Sequence, residues 1–101
     1  GDVTHTGATS EGDNTAVGAA AGAAITTGVF NVCVGSNAGD AITTGTENVC
    51  LGYDTGGGIT TGSNNVMIGR AAGNHDNTLT DGAQCIVIGD FSDVSSGSAL
   101  N

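Results

Sequence analysis

Three cysteines and two histidines are the side chains of this sequence best suited to nucleophilic or metal chemistry, and their spacing assembles neither. Cys33, Cys50 and Cys85 show none of the close spacings that hold zinc, and an odd number closes no disulfide framework. His5 stands between two threonines with no second His or Cys nearby, which suits a solvent-exposed or stacking role better than metal ligation. His75 and Asp76 adjoin each other in Asn74-His75-Asp76-Asn77, but no third partner is placed beside them. There is no Lys, and no Ser or Cys has a base at a recognisable spacing, so no nucleophile and activator come together and an enzyme is not expected. Asp40, Asp54, Asp76, Asp81, Asp90 and Asp93 do not follow the Gly-Gly-x-Gly-x-Asp calcium repeat, so calcium stays an open but unsupported alternative and no cofactor is expected.

Ten acidic residues against a single Arg give a formal charge of −9, which repels phosphate backbones and anionic lipid. Nucleic acid is therefore not an expected partner. No run approaches the roughly 20 apolar residues of a membrane span, so no membrane insertion is expected. No basic stretch followed by an apolar one marks a secretion signal. The first residue is Gly1 rather than Met, which leads us to expect a processed chain or a piece of a longer one.

What positions these residues is a repeat. Asn14, Asn31, Asn48 and Asn65 are each 17 residues apart. Gly18, Gly35, Gly52 and Gly69 keep the same step, as do Gly22, Gly39, Gly56 and Gly73. Ile25, Ile42 and Ile59 follow suit, each continuing into Thr-Thr-Gly. A further copy, Cys85-Ile86-Val87-Ile88-Gly89, arrives three residues late, with the extra residues in the segment 74–79. With 19 Gly, no Pro and 3% aromatics the chain cannot build an ordinary globular core, but 38% hydrophobic residues falling in regular runs argue against disorder.

Each copy carries a short β-branched run bounded by Gly, such as Asn31-Val32-Cys33-Val34-Gly35, which reads as a strand. The Ile-Thr-Thr trio reads as a second strand. The alanines at 19–21, 23 and 24 invite a helix by propensity, yet their counterparts Ser36, Asn37 and Asp40 are turn residues, and equivalent positions share a conformation. Neither strand can bury a face alone, but stacked copies can. The expected fold is all-β, a parallel β-solenoid of about five coils, with residues 1–11 as an entry strand or adaptor, 12–89 as the solenoid and 90–101 as a C-terminal adaptor. In-register stacking would place Asn14, Asn31, Asn48 and Asn65 in a hydrogen-bonded ladder that ends where Cys85 takes the Asn position. The turn glycines would be Gly18, Gly22, Gly35, Gly39, Gly52, Gly56, Gly69, Gly73 and Gly89.

Alternation along the first strand separates two faces. Val32 and Val34, with their equivalents Val49 and Leu51, Val66 and Ile68, and Ile86 and Ile88, are expected to fill the solenoid. Ala16, Cys33, Cys50, Met67 and Val87 then face outward. All five are apolar, and a strand apolar on both sides is buried on both sides, so they form the expected oligomer face. A monomer exposing a narrow apolar stripe is the alternative. Cys33 and Cys50 are expected as packed free thiols on that face, a disulfide between them being possible but strained. Asn74, His75, Asp76 and Asn77 form a candidate binding loop, or merely a tolerated insertion.

Asn-Val-Cys-Val-Gly-Ser-Asn-Ala-Gly at 31–39 and Asn-Val-Met-Ile-Gly-Arg-Ala-Ala-Gly at 65–73 resemble the strand-turn repeats of trimeric autotransporter adhesin heads. The longer unit, with Ile-Thr-Thr-Gly before the next Asn, is similar to repeat arrays of phage and bacterial tail-fibre-like proteins. This resemblance, over residues 12–89, implies a left-handed parallel β-roll, trimeric, serving as a rigid stalk or head outside the cell, on its surface or on a virion. The 17-residue period and the lack of a visible coiled-coil stalk or membrane anchor depart from the adhesin pattern. Without capping segments, the solenoid ends are expected to join further repeats or other copies head to tail. The partner expected first is therefore the chain itself, as a fibre subunit. The alternative is an adhesin or receptor-binding tip for a cell surface or glycan. More remotely, the pairs Thr26/Thr27, Thr43/Thr44 and Thr60/Thr61 would stack into columns like those of ice-binding solenoids, although strand alternation would send adjacent threonines to opposite faces.

Overall fold

The computed structural model describes residues 13–73 and 83–90. The segment 1–11, the loop 74–79 and the tail beyond Asp90 lie outside the described residues. Five strands of three residues each form one sheet: β1 (Thr15–Val17), β2 (Val32–Val34), β3 (Val49–Leu51), β4 (Val66–Ile68) and β5 (Ile86–Ile88). They lie in sequence order and every neighbouring pair is parallel. Ala16 pairs with Cys33, Cys33 with Cys50, and Cys50 with Met67, so each coil is the previous one displaced along the stack. Met67 pairs with Val87, which keeps the register although the sequence step has grown to 20. This is the expected all-β parallel solenoid. No helix occurs among the described residues, and the alanine-rich stretch 19–24 is turn.

Each strand is followed by a glycine with φ between 122° and 133°, Gly18, Gly35, Gly52, Gly69 or Gly89, and Gly22, Gly39, Gly56 and Gly73 in the turn beyond also have positive φ, between 60° and 71°. Here the side-chain-free residue is required twice over. At Gly35 the φ of 129° is closed to L side chains, and a Cβ would meet the carbonyl of Gly52 at 2.5 Å. The turns also bond from coil to coil: Gly22 N–H donates to Ala38 O at 2.9 Å, Gly39 to Thr55 at 2.7 Å and Gly56 to Ala72 at 2.8 Å.

Two expectations are corrected. The Ile-Thr-Thr trio does not form a second strand. Thr26 N–H and Gly28 N–H both donate to Thr43 O, at 3.0 and 3.2 Å, and Thr43 and Gly45 converge in the same way on Thr60 O, at 2.9 and 3.3 Å. Two donors on one carbonyl make a bend, whereas a ladder would alternate donors and acceptors. None of Thr26, Thr27, Thr43, Thr44, Thr60 and Thr61 is buried.

The second correction reverses inside and outside. Ala16, Cys33, Cys50, Met67 and Val87, expected on an oligomer face, are 0% exposed within the single chain and form its interior column. They pack with Ala21, Ala38 and Ala72 and with Ile42 and Ile59, while Ile25 and Cys85 are partly buried against the cluster. The interior is narrow. A Cβ on Gly39 would sit 2.6 Å from Cys33 Sγ, and one on Gly56 would sit 2.5 Å from Cys50 Sγ. Each strand contributes one side chain to it, beside the alanines and isoleucines of the turns, and the paired valines and isoleucines of each strand are turned to the outside.

Candidate assembly surface

The asparagine column explains why each strand presents that particular side outward. Asn31 Nδ2 donates to Asn14 Oδ1 at 3.1 Å and to Gly45 O at 2.9 Å, and Asn31 N–H also donates to Asn14 Oδ1 at 2.9 Å. Asn48 repeats the set on Asn31 and Gly62, and Asn65 donates to Asn48 Oδ1 from both its backbone and its side chain at 3.0 Å. Asn31, Asn48 and Asn65 are all 0% exposed. The ladder ends as expected: Cys85 N–H donates to Asn65 Oδ1 at 3.0 Å, and the thiol offers no amide to hand on. With Asn31 directed inward, Cys33 two residues on shares its side, and Val32 and Val34 face solvent.

The outward face of the sheet thus consists of two columns. One holds Thr15, Val32, Val49, Val66 and Ile86, and the other Val17, Val34, Leu51, Ile68 and Ile88. None is buried, and exposure reaches 37% at Val34, 44% at Ile86 and 39% at Ile88. No ionisable group lies in either column. Phe30 and Tyr53, both more than half exposed, stand on the turns flanking the sheet, Phe30 two residues before Val32 and Tyr53 two after Leu51. Among the described residues, all five exposed large hydrophobic side chains therefore belong to this face or its borders. Sequence reasoning missed Phe30 and Tyr53 because each is the single aromatic in a column otherwise occupied by unlike residues. Their signal was only that an aromatic stood in a turn.

Charge is kept to the turns. Arg70 forms an exposed ion pair with Asp90, 2.9 Å between Nη2 and Oδ2, joining the turns after β4 and β5. Burial raises the Asp40 carboxyl above its usual pKa, repulsion from Asp54 adds to this, and a hydrogen bond to its own backbone opposes it. A carboxyl whose pKa is higher in the folded chain holds its proton there to higher pH than in the unfolded chain. Its contribution to stability is then lost as pH rises from the unfolded value of about 3.9 through the folded one. Asp40→Asn should accordingly raise the melting temperature at pH 7 and leave it unchanged below about pH 3, which thermal scans at the two pH values would check.

Of the other sequence-derived candidates, Cys33 and Cys50 are free thiols adjacent in register, in the interior rather than on a face. The neighbouring Cys50 thiol lowers the Cys33 pKa against the opposing effect of burial, while the Cys33 neighbour and burial push the Cys50 pKa well above the usual thiol range. The candidate loop residues Asn74, His75, Asp76 and Asn77 lie outside the described residues. Among the described residues there is no group of three His, Cys, Asp or Glu side chains able to share a metal ion, and no helix long and apolar enough to cross a membrane. Compared with protein-family models, curated proteins and solved structures, the chain matches none.

Proposed function

We propose that this chain is a structural module of an extracellular or virion fibre, in which solenoids pack side by side through the outward face of β1 to β5. The observation that carries the reading is the concentration of exposed aliphatic side chains in two uncharged columns, on a chain whose formal charge is −9. Like-charged copies repel over most of their surface, and this face is where they can meet while burying apolar area at about 25 cal/mol per Å². The reasoning that a strand apolar on both sides is covered on both sides thus supports an oligomer still, with the outer columns in place of the inner one. The resemblance of the Asn-Val-x-Val-Gly repeats to adhesin heads and tail-fibre-like arrays supports the same reading and favours a trimer. Strand stacking supports growth along the axis, since the outer edges of β1 and β5 have no strand partner among the described residues.

Sedimentation of the purified chain, with electron microscopy of the same samples, tests this. Side-by-side oligomers are expected, and Leu51→Asp, at the centre of the outward face, should dissociate them by at least about tenfold in dissociation constant, a cost of about 1.4 kcal/mol or more per site. Because Leu51 faces solvent in the single chain, the far-ultraviolet circular dichroism should stay unchanged. A wild-type chain that remains monomeric at high concentration overturns the reading. A second reading is a glycan- or receptor-binding tip, favoured by the exposed rings of Phe30 and Tyr53, which are suited to stacking on sugars. It requires binding to a glycan or cell surface that is lost when both are replaced by Ser.

A further inference from the structure

The interior holds a feature that fibre assembly does not use. Cys33 and Cys50 are in register on neighbouring parallel strands, and both are 0% exposed. Their thiols occupy equivalent places in their own coils. Cys33 Sγ lies 2.6 Å and its Cβ 3.6 Å from the Cβ position of Gly39, and Cys50 Sγ lies 2.5 Å and its Cβ 3.5 Å from that of Gly56. The two side chains thus share one rotamer and are related by the displacement between coils. That displacement, about 4.8 Å for paired strands, is then the separation of the sulfurs. A disulfide needs about 2.05 Å between sulfurs and about 3.8 Å between Cβ atoms, so stacked identical rotamers hold the pair apart. A metal ion bound linearly between two thiolates needs about twice a metal–sulfur bond of about 2.3 Å, or about 4.6 Å in all.

We propose that Cys33 and Cys50 form a buried, two-coordinate dithiolate site for a soft divalent cation, with mercury(II) as the ion that fits it. The ion displaces one proton from each thiol, forming two metal–sulfur bonds and releasing two protons to solvent. The product carries no net charge, which suits the surrounding Ala38, Ile42 and Ile59. Charge and geometry together set the selectivity. A monovalent soft ion on two thiolates leaves a negative charge in an apolar interior, which is costly. Zinc prefers four ligands in a tetrahedron, and the in-register neighbours, Ala16 on one side and Met67 on the other, supply at most one weak thioether. The ion reaches the pair through local opening of the thin coil wall.

The test is titration of the reduced 101-residue chain with mercury(II), followed by sulfur-to-metal charge-transfer absorbance and by thermal unfolding, with zinc(II) and silver(I) in parallel. Cys85→Ser serves as the background, since its thiol is outside the pair. One equivalent per chain is expected to raise the melting temperature, with zinc giving no rise and silver a smaller one. Cys33→Ala and Cys50→Val should each abolish the rise. Both substitutions copy residues already accepted in the column, Ala16 and Val87, so the variants are expected to fold. X-ray absorption of the loaded chain should show two sulfurs at about 2.3 Å. A rise that persists in either single variant overturns the proposal, as does mercury lowering the melting temperature of the background chain. Because neither cysteine reaches the outward face, failure here leaves the assembly reading untouched.

Discussion

Asn48→Ala is expected to lower stability by about 3–5 kcal/mol, from several lost hydrogen bonds and buried partners left unmatched. Asn48 Nδ2 bonds Asn31 Oδ1 at 3.1 Å and Gly62 O at 2.9 Å, and its Oδ1 accepts from both the backbone and the side chain of Asn65. Alanine removes the amide and leaves the Gly62 carbonyl and the Asn65 N–H without it, in a place water does not reach. For a domain of this size the melting temperature should fall by more than about 12 °C. Thr44→Ala, at an exposed position one coil corner away, should stay within about 0.5 kcal/mol. Thr46 is a poorer control than its place in a turn suggests, because its N–H and Oγ1 both contact Ser63 Oγ, at 3.0 and 3.3 Å. Equal melting temperatures for the Asn48 and Thr44 variants would show that the ladder stabilises nothing.

A larger effect is expected from Gly45→Ala. The added Cβ would lie 2.1 Å from the Gly62 carbonyl oxygen and 3.0 Å from Asn48 Nδ2. The backbone there is not left-handed, so the obstacle is distance alone: two coils approach one another through bare backbone. A methyl group can be admitted only by prying the coils apart, which also stretches the Asn48 bond to Gly62. We expect a loss of at least about 4 kcal/mol, most of the stability of a domain near the low end of the ordinary range of about 5–15 kcal/mol. Gly57→Ala supplies the contrast. Its counterparts in the preceding coils are Ala23 and Asp40, and alanine there should be neutral or stabilise by up to about 1 kcal/mol. Urea denaturation of the two variants beside the parent separates the cases. Similar midpoints would mean that close coil approach at Gly45 does not hold the stack.

Much of this architecture was legible because a solenoid prints its third dimension onto its sequence. Residues 17 apart are neighbours in space, so the Asn column, the turn glycines and the register of β5 could be read as recurrences. Which side of each strand faces inward was not read correctly, although the means were present. An amide ladder bonded to turn carbonyls belongs inside, and residues two apart share a side. Asn31 inside therefore requires Cys33 inside and Val34 outside. Hydrophobic bulk pointed the other way, because the larger aliphatic residues suggest core. The lumen overrules that preference by its width, with Gly39 and Gly56 pressed against the cysteine sulfurs. The Ile-Thr-Thr runs misled for a different reason. Their β-branched composition fits a strand, but whether two N–H groups converge on one carbonyl or alternate along a ladder depends on backbone direction, which composition does not encode. The exposed aliphatic columns are hidden by the same inversion, since their bulk reads as interior.

The late arrival of the last coil has a practical meaning. Ser63 and Ala83 bridge in parallel, Asn65 Oδ1 takes the N–H of Cys85, and Met67 lies beside Val87, all across a sequence step of 20. The three extra residues are absorbed before Ala83, and nothing after it records that they were there. Register is thus restored by local matching at each coil and does not depend on the length of chain spent between coils. The sequence between Gly73 and Ala83 is accordingly a graft point where a foreign peptide should be tolerated while β4 and β5 keep their alignment.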